Sequence, residues 1–179
     1  EYDNKDKLPS ISEEYEYSVS LFGMSKSFAM PGLRIGWLIT RNKEWLDEFV
    51  IFRDYTTICN SATSEILALM GLKVREQILR RNHEIIRYNL ELLNKFFARF
   101  DDIFDWQSPR AGAVAFPRIK GNLDANEFCS NLLKSKGVML LPPSVYDFKG
   151  NHFRIGFGRN NLPEALSLLE EYISENGTV

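Results

Sequence analysis

Lys26 stands between two serines in GMSKSFAMPGLRIGW, residues 23–37, and Arg34 follows eight positions later. The neighbours of the lysine, Met24, Ser25, Ser27, Phe28, Ala29 and Met30, are small or apolar. A lysine desolvated by such surroundings gives up its proton more readily. The neutral amine attacks an aldehyde or ketone and forms a Schiff base. Arg34 offers a planar fork of N–H donors matched to a phosphate or a carboxylate. Together the pair suits a phosphorylated aldehyde, with its carbonyl on Lys26 and its phosphate on Arg34. On these two residues alone, a loop lysine and a surface strand arginine are the simpler reading.

The elements that must position them follow from hydrophobic spacing. Residues 18–22 form a short β-like run, and LRIGWLIT (33–40), rich in β-branched and aromatic residues, reads as a buried strand. NKEWLDEFVIFRDY has apolar residues at 45, 46, 49, 50 and 52, a helical spacing, with Asn42 as its N-cap. Ser61 or Thr63 caps a short helix beyond it.

The strongest periodicity runs over residues 75–100. Ile78, Leu79, Ile85, Ile86, Leu90, Leu93, Phe96, Phe97 and Phe100 make one stripe, while Glu76/Arg80 and Glu91/Lys95 are i,i+4 pairs outside it. At about 1.5 Å per residue this helix is roughly 39 Å long, more than one small core needs, so it is expected to connect two lobes. Arg80 and Arg81 read as solvated helix surface.

DDIFDWQSPRAG reads as turns, AVAFPRI as a strand and DANEFCSNLLKSKG as a helix capped by Asp124 and closed by Gly137. VMLLPP is a short strand stopped by prolines, and PPSVY a rigid turn. HFRIGFG is another strand, and a terminal helix follows with Asn161 as cap and Pro163 in its first turn. The pattern is that of a small α/β lobe. RIGW and RIGF are similar strand contexts without matching flanks, not a duplication.

The segment GMSKSFAMPGLRIG resembles the lysine motif of the class I/II aminotransferases, pyridoxal-phosphate enzymes of the aspartate aminotransferase fold type. Gly23, Met24, Ser25, Lys26, Ala29, Met30, Gly32, Arg34, Ile35 and Gly36 fill the motif in register. SPRAGAVAFPRI and HFRIGFG resemble later segments of the family in the same order. The resemblance implies an α/β fold, the C-terminal part of the pyridoxal-phosphate-dependent transferase fold. Residues 1–74 would end the large domain, 75–100 form the connecting helix and 101–179 the small domain.

By the same resemblance, Lys26 would hold the cofactor aldehyde and shuttle the α-proton, Arg34 would grip the cofactor phosphate, and Arg154 would grip the substrate α-carboxylate. Taken alone, Arg154 is a strand-rim residue. Asn60 and Ser61 would reach a neighbouring subunit's cofactor phosphate, though helix capping explains them equally well. One departure is Gly23, where the family often has a phosphate-binding serine.

Family members are about twice as long, and their first halves supply the glycine-rich turn, the stacking aromatic, an asparagine and the aspartate on the ring nitrogen. Nothing in this sequence matches those, so the chain reads as the C-terminal half of an aminotransferase, picked up in mid-fold and inactive alone. The parent would move an amino group between an amino acid and a 2-oxo acid, as a homodimer. The alternatives are a C–S β-lyase and a non-catalytic aminotransferase-like domain of a regulator.

Composition narrows the partners. The 179 residues carry a net charge of −2, with 44% hydrophobic residues and 13 phenylalanines. That is ample core material, and no basic excess points to nucleic acid or an anionic membrane. No apolar run reaches the roughly 20 residues of a membrane-spanning helix. Cys59 and Cys129 are expected to be reduced and buried, which suits the cytoplasm. His83 and His152 lack metal-ligand spacing to either cysteine, so no metal site is expected.

Overall fold

A computed structural model describes residues 2–176. They form two compact units, residues 5–82 and, with residues 2–4, residues 83–176.

The first unit begins with a single helical turn, α1 (Ile11–Glu14), and the strand β1 (Ser20–Gly23). Buried serines tie the two together. The Ser10 and Ser20 hydroxyls are hydrogen-bonded at 2.8 Å, and Ser18 Oγ donates to the Ile11 carbonyl at 3.0 Å. β1 pairs antiparallel with β2 (Gly36–Ile39), in a register running from Ser20 opposite Ile39 to Gly23 opposite Gly36. The strand expected from residue 33 therefore starts three residues late. Pro31 opens a 3-10 turn over Pro31–Leu33, and Arg34 closes it in the left-handed region at φ 51°, so no ladder forms until the turn is complete.

Helix α2 (Lys43–Thr56) is capped by Asn42, whose Oδ1 accepts from the Trp45 N–H at 3.0 Å. Helix α3 (Ala62–Lys73) is capped by Ser61, whose Oγ receives the Ser64 N–H at a long 3.5 Å. The helical spacing in α2 is there, but it faces no core. None of its residues is buried, and Tyr55 is 90% exposed. In this unit the buried hydrophobic side chains are Met24 and Ala68, among the described residues. Leu21, Val50, Ile51, Phe52, Ile66 and Met70 are all exposed, an apolar surface of the kind that marks an interaction site.

The helix α4 (Arg75–Arg99) has its ends where the hydrophobic stripe puts them, and the units divide within it. In the second unit the stripe packs onto an aromatic core. Leu93, Phe96 and Phe97 meet Phe104, Phe128, Phe153 and Phe157, all buried. Phe97 stacks on Trp106 at 4.3 Å, and Phe104 sits edge-on to Phe128 and Phe153. Burial of each such ring contributes about 1.5–3 kcal/mol. Inside the stripe the sequence hides one polar residue of consequence. Asn89 is 1% exposed and donates to the carbonyls of Phe157 at 2.9 Å and Arg159 at 2.7 Å.

The strands here are short. β3 (Phe104–Asp105) pairs with β5 (Arg118–Ile119), and β4 (Val114–Ala115) pairs with β6 (Ile155–Gly156), both antiparallel. β3 lies in a stretch that reads as turns. The strand expected over AVAFPRI is split at Phe116 and Pro117, since a proline has no N–H for the ladder. VMLLPP is not a strand. Two prolines limit its pairing to one bridge, Leu141 with Arg154. Helix α5 (Ala125–Lys136) has the expected ends: Asp124 Oδ1 accepts from the N–H groups of Asn126 and Glu127, and Gly137 takes φ 69°. Asn151 then laces the unit, accepting from the Ala125 N–H at 2.7 Å and donating to the carbonyls of Ile119 and Leu123. Helix α6 (Leu162–Asn176) covers the core with Leu166, Leu169 and Ile173.

One cysteine differs from expectation: Cys129 is buried, but Cys59, in the loop between α2 and α3, is exposed. Burial, helped by the charge of Asp124, pushes the Cys129 thiol up to about 11.

Candidate functional site

Lys26 and Arg34 lie on one loop, the connection between β1 and β2. Its base is closed by the Met24 N–H donating to the Ile35 carbonyl at 3.0 Å. Two internal bonds fold the loop on itself: Met30 N–H to the Met24 carbonyl, and Ala29 N–H to the Lys26 carbonyl, both at 2.9 Å. Ala29 takes φ 54° to allow this, the left-handed region where a side chain is strained.

Three contacts pin the loop from outside. Met24 is fully buried, and it and Met30 rest over Gly71 of α3. A Cβ on Gly71 would come within 3.0 Å of Met24 Cε and 3.2 Å of Met30 Sδ, so only glycine lets helix and loop meet without a shift. From α4, Asn82 Nδ2 donates to the Ser27 carbonyl at 2.9 Å. Methionine and glycine thus do the anchoring, and the two charged groups are left for chemistry.

Both charged groups are exposed. The apolar neighbours of Lys26 were expected to desolvate it, and in this chain they do not. Met24 turns inward, and no other element of the unit buries the amine. Arg34 projects from its left-handed turn with Nη1 donating to the Pro31 carbonyl at 3.2 Å.

The two strands approach closely at a pair of glycines. Gly23 sits opposite Gly36, and a Cβ on Gly36 would lie 2.6 Å from the Phe22 carbonyl oxygen. A Cβ on Gly23 would lie 3.3 Å from the Ile35 carbonyl oxygen, so a side chain there meets only mild crowding.

Arg154 belongs to the second unit. Its backbone pairs both ways with Leu141, at 2.8 and 3.2 Å, and its Nη1 donates to the Tyr146 hydroxyl at 3.0 Å. The side chain is exposed, while Phe153 and Ile155 on either side are buried. Asn60 and Ser61 serve local ends: Asn60 Nδ2 donates to Glu65 Oε1 at 3.1 Å, and Ser61 caps α3. Sequence reasoning missed Asn82, Gly71 and Tyr146. Only Tyr146 left a signal, the rigid PPSVY turn.

A family model described as aminotransferase class I and II matches residues 3–168. The aspartate aminotransferase of Thermotoga maritima is 29% identical over 92% of this chain and 42% of its own length. The capreomycidine synthase of Streptomyces vinaceus is 28% identical over the same shares. The fold matches a PLP-dependent aminotransferase from Streptococcus suis 89-1591 with a TM-score of 0.87 and 28% identity, over 96% of this chain and 46% of that one. The chain thus spans less than half the length of the relatives it matches.

Proposed function

This chain belongs to the class I and II aminotransferase family, and from that premise we propose that it is the lysine-bearing, C-terminal part of an enzyme moving an amino group between an amino acid and a 2-oxo acid. Pyridoxal phosphate is the cofactor that membership implies. The observation that carries the reading is the pinned loop, which presents an amine and a guanidinium together while its apolar residues anchor it.

The residues present fit the cofactor in part. The Lys26 amine suits its aldehyde, and the Arg34 fork suits its phosphate dianion. Residues 23–37 contain no carboxylate, so a partner for the ring nitrogen comes from elsewhere. When bound, the cofactor supplies the aldehyde and an electron-withdrawing ring. Lys26 Nζ then serves as the attachment point and, once free, carries the proton of the substrate α-carbon. Arg34 holds the phosphate end in place, and Arg154 receives the substrate carboxylate.

In the parent, residues 1–74 end the large domain, 75–100 connect and 101–179 form the small domain. The exposed apolar surface of α2, α3 and β1 supports an assembly with further polypeptide, including a homodimer. The two free thiols agree with the cytoplasm. The fragment alone is expected to be inactive.

A second reading rests on the capreomycidine synthase likeness and on a PLP-dependent cyclase, OrfR, with a TM-score of 0.78 and 27% identity. Product analysis of the complete protein decides. A 2-oxo acid plus a new amino acid means transamination; a ring-closed amino acid means cyclisation; pyruvate, ammonia and a thiol mean elimination. No turnover of any amino acid, with no absorbance change on adding pyridoxal phosphate, would leave a non-catalytic module.

A further inference from the structure

The Arg154 guanidinium has a fixed partner, the Tyr146 hydroxyl at 3.0 Å. We infer that Tyr146 is a positioning residue for the substrate carboxylate, holding Arg154 by Nη1 and leaving its Nε and Nη2 groups for a two-point grip. This rests on the proposed role of Arg154.

Several features fix Tyr146 where it is. Pro142 and Pro143 lead into a 3-10 turn, Pro143–Tyr146, with Pro143 buried. Asp147 ends the turn in the left-handed region at φ 51°, and the Phe148 N–H donates back to the Pro143 carbonyl at 3.2 Å. The Tyr146 ring lies edge-on to Phe116 at 6.0 Å, and Phe116 in turn stacks on His152 at 5.1 Å and meets Phe148 at 5.3 Å. The register that pairs Val114 with Gly156 and Arg118 with His152 sets Phe116 opposite Arg154.

Arginine and tyrosine thus hang on one short frame. The Leu141–Arg154 bridge holds the strand, and the chain passes from Leu141 straight into the proline turn. A free arginine loses rotamer freedom when it grips a carboxylate, and that loss weakens binding. A bond from a charged donor to a fixed hydroxyl removes part of that cost before the ligand arrives. The effect belongs to binding and not to the chemical step, because Tyr146 touches the arginine and not the reacting carbon.

The test uses the complete protein, with the standard amino acid it turns over fastest and the matching 2-oxo acid. Tyr146→Phe keeps the ring on Phe116 and deletes only the hydroxyl. It is expected to raise KM for both ligands about three- to tenfold, with kcat within about twofold and an unchanged melting midpoint. Arginine-selective 15N spectra add a readout independent of turnover. The Arg154 Nη–H signals, identified by their loss in Arg154→Lys, should exchange faster with water in Tyr146→Phe. Unchanged KM and exchange in Tyr146→Phe, with KM raised in Arg154→Lys, would overturn the role of Tyr146 alone. Unchanged KM in Arg154→Lys would remove the carboxylate role of Arg154 and this inference with it.

Discussion

Substituting Gly36 by alanine should damage the lysine loop more than the same change at Gly23, although the two face each other across the ribbon. A Cβ at Gly36 meets the Phe22 carbonyl oxygen at 2.6 Å, whereas one at Gly23 meets the Ile35 carbonyl oxygen at 3.3 Å. The first contact is with backbone and is shorter than the 3.0 Å that real Cβ atoms keep, so the strands must separate by at least about 0.4 Å. Such overpacking costs about 1–3 kcal/mol. Alanine also restricts the unfolded chain, a gain of about 0.4–1 kcal/mol wherever the native backbone accepts it. At Gly23 the gain offsets the mild crowding and the net effect is near zero. At Gly36 the steric cost prevails. Thermal melting reads the difference: roughly 2–10 °C lower for Gly36→Ala, and within about 2 °C of the parent for Gly23→Ala. Equal midpoints for the two variants would refute the idea that the close ribbon sets the loop that carries Lys26.

Two further outcomes follow from buried groups. Asn89→Ala strips the donor from two carbonyls in the interior, those of Phe157 and Arg159, and should destabilise the second unit by about 1–3 kcal/mol, read by urea unfolding. The two thiols should also separate. At pH 8 Cys59 reacts with iodoacetamide in the native protein, whereas Cys129 reacts only on unfolding. Because burial raises the Cys129 thiol from 9.0 to about 11, its contribution to stability is complete below pH 9 and is lost as pH climbs towards 11. A Cys129→Ala variant should show a flatter decline over that window.

Helices were legible from sequence because their signals are local. Asn42, Asp124 and Gly137 sit at helix ends for reasons contained within four residues, and the α4 stripe repeats often enough to set its own limits. The short strands were legible only in outline: β4, β5 and β6 lie within the two stretches read as strands, but with two residues each no alternation sets their ends, and β3 was read as turns. The late start of β2 depends on a left-handed Arg34, which an arginine does not announce. The exposure of α2 and Lys26 escaped for a different reason. Spacing tells which face is apolar, and it says nothing about whether this chain supplies what covers it. The site was legible in its residue types but not in its supports. Asn82 is 55 positions from Ser27 and Gly71 more than 40 from either methionine, contacts that no local pattern encodes. Likewise the left-handed Asp147 that fixes Tyr146 carries no glycine to mark it.

The most direct measurement is chemical. The complete protein is incubated with pyridoxal phosphate, reduced with borohydride, digested and mapped by mass spectrometry. A pyridoxyl label on the peptide carrying Lys26, absent in Lys26→Ala, is the expected result. A label on another lysine with Lys26 untouched, or no label at all, would contradict the assignment of Lys26 as the residue that takes the cofactor.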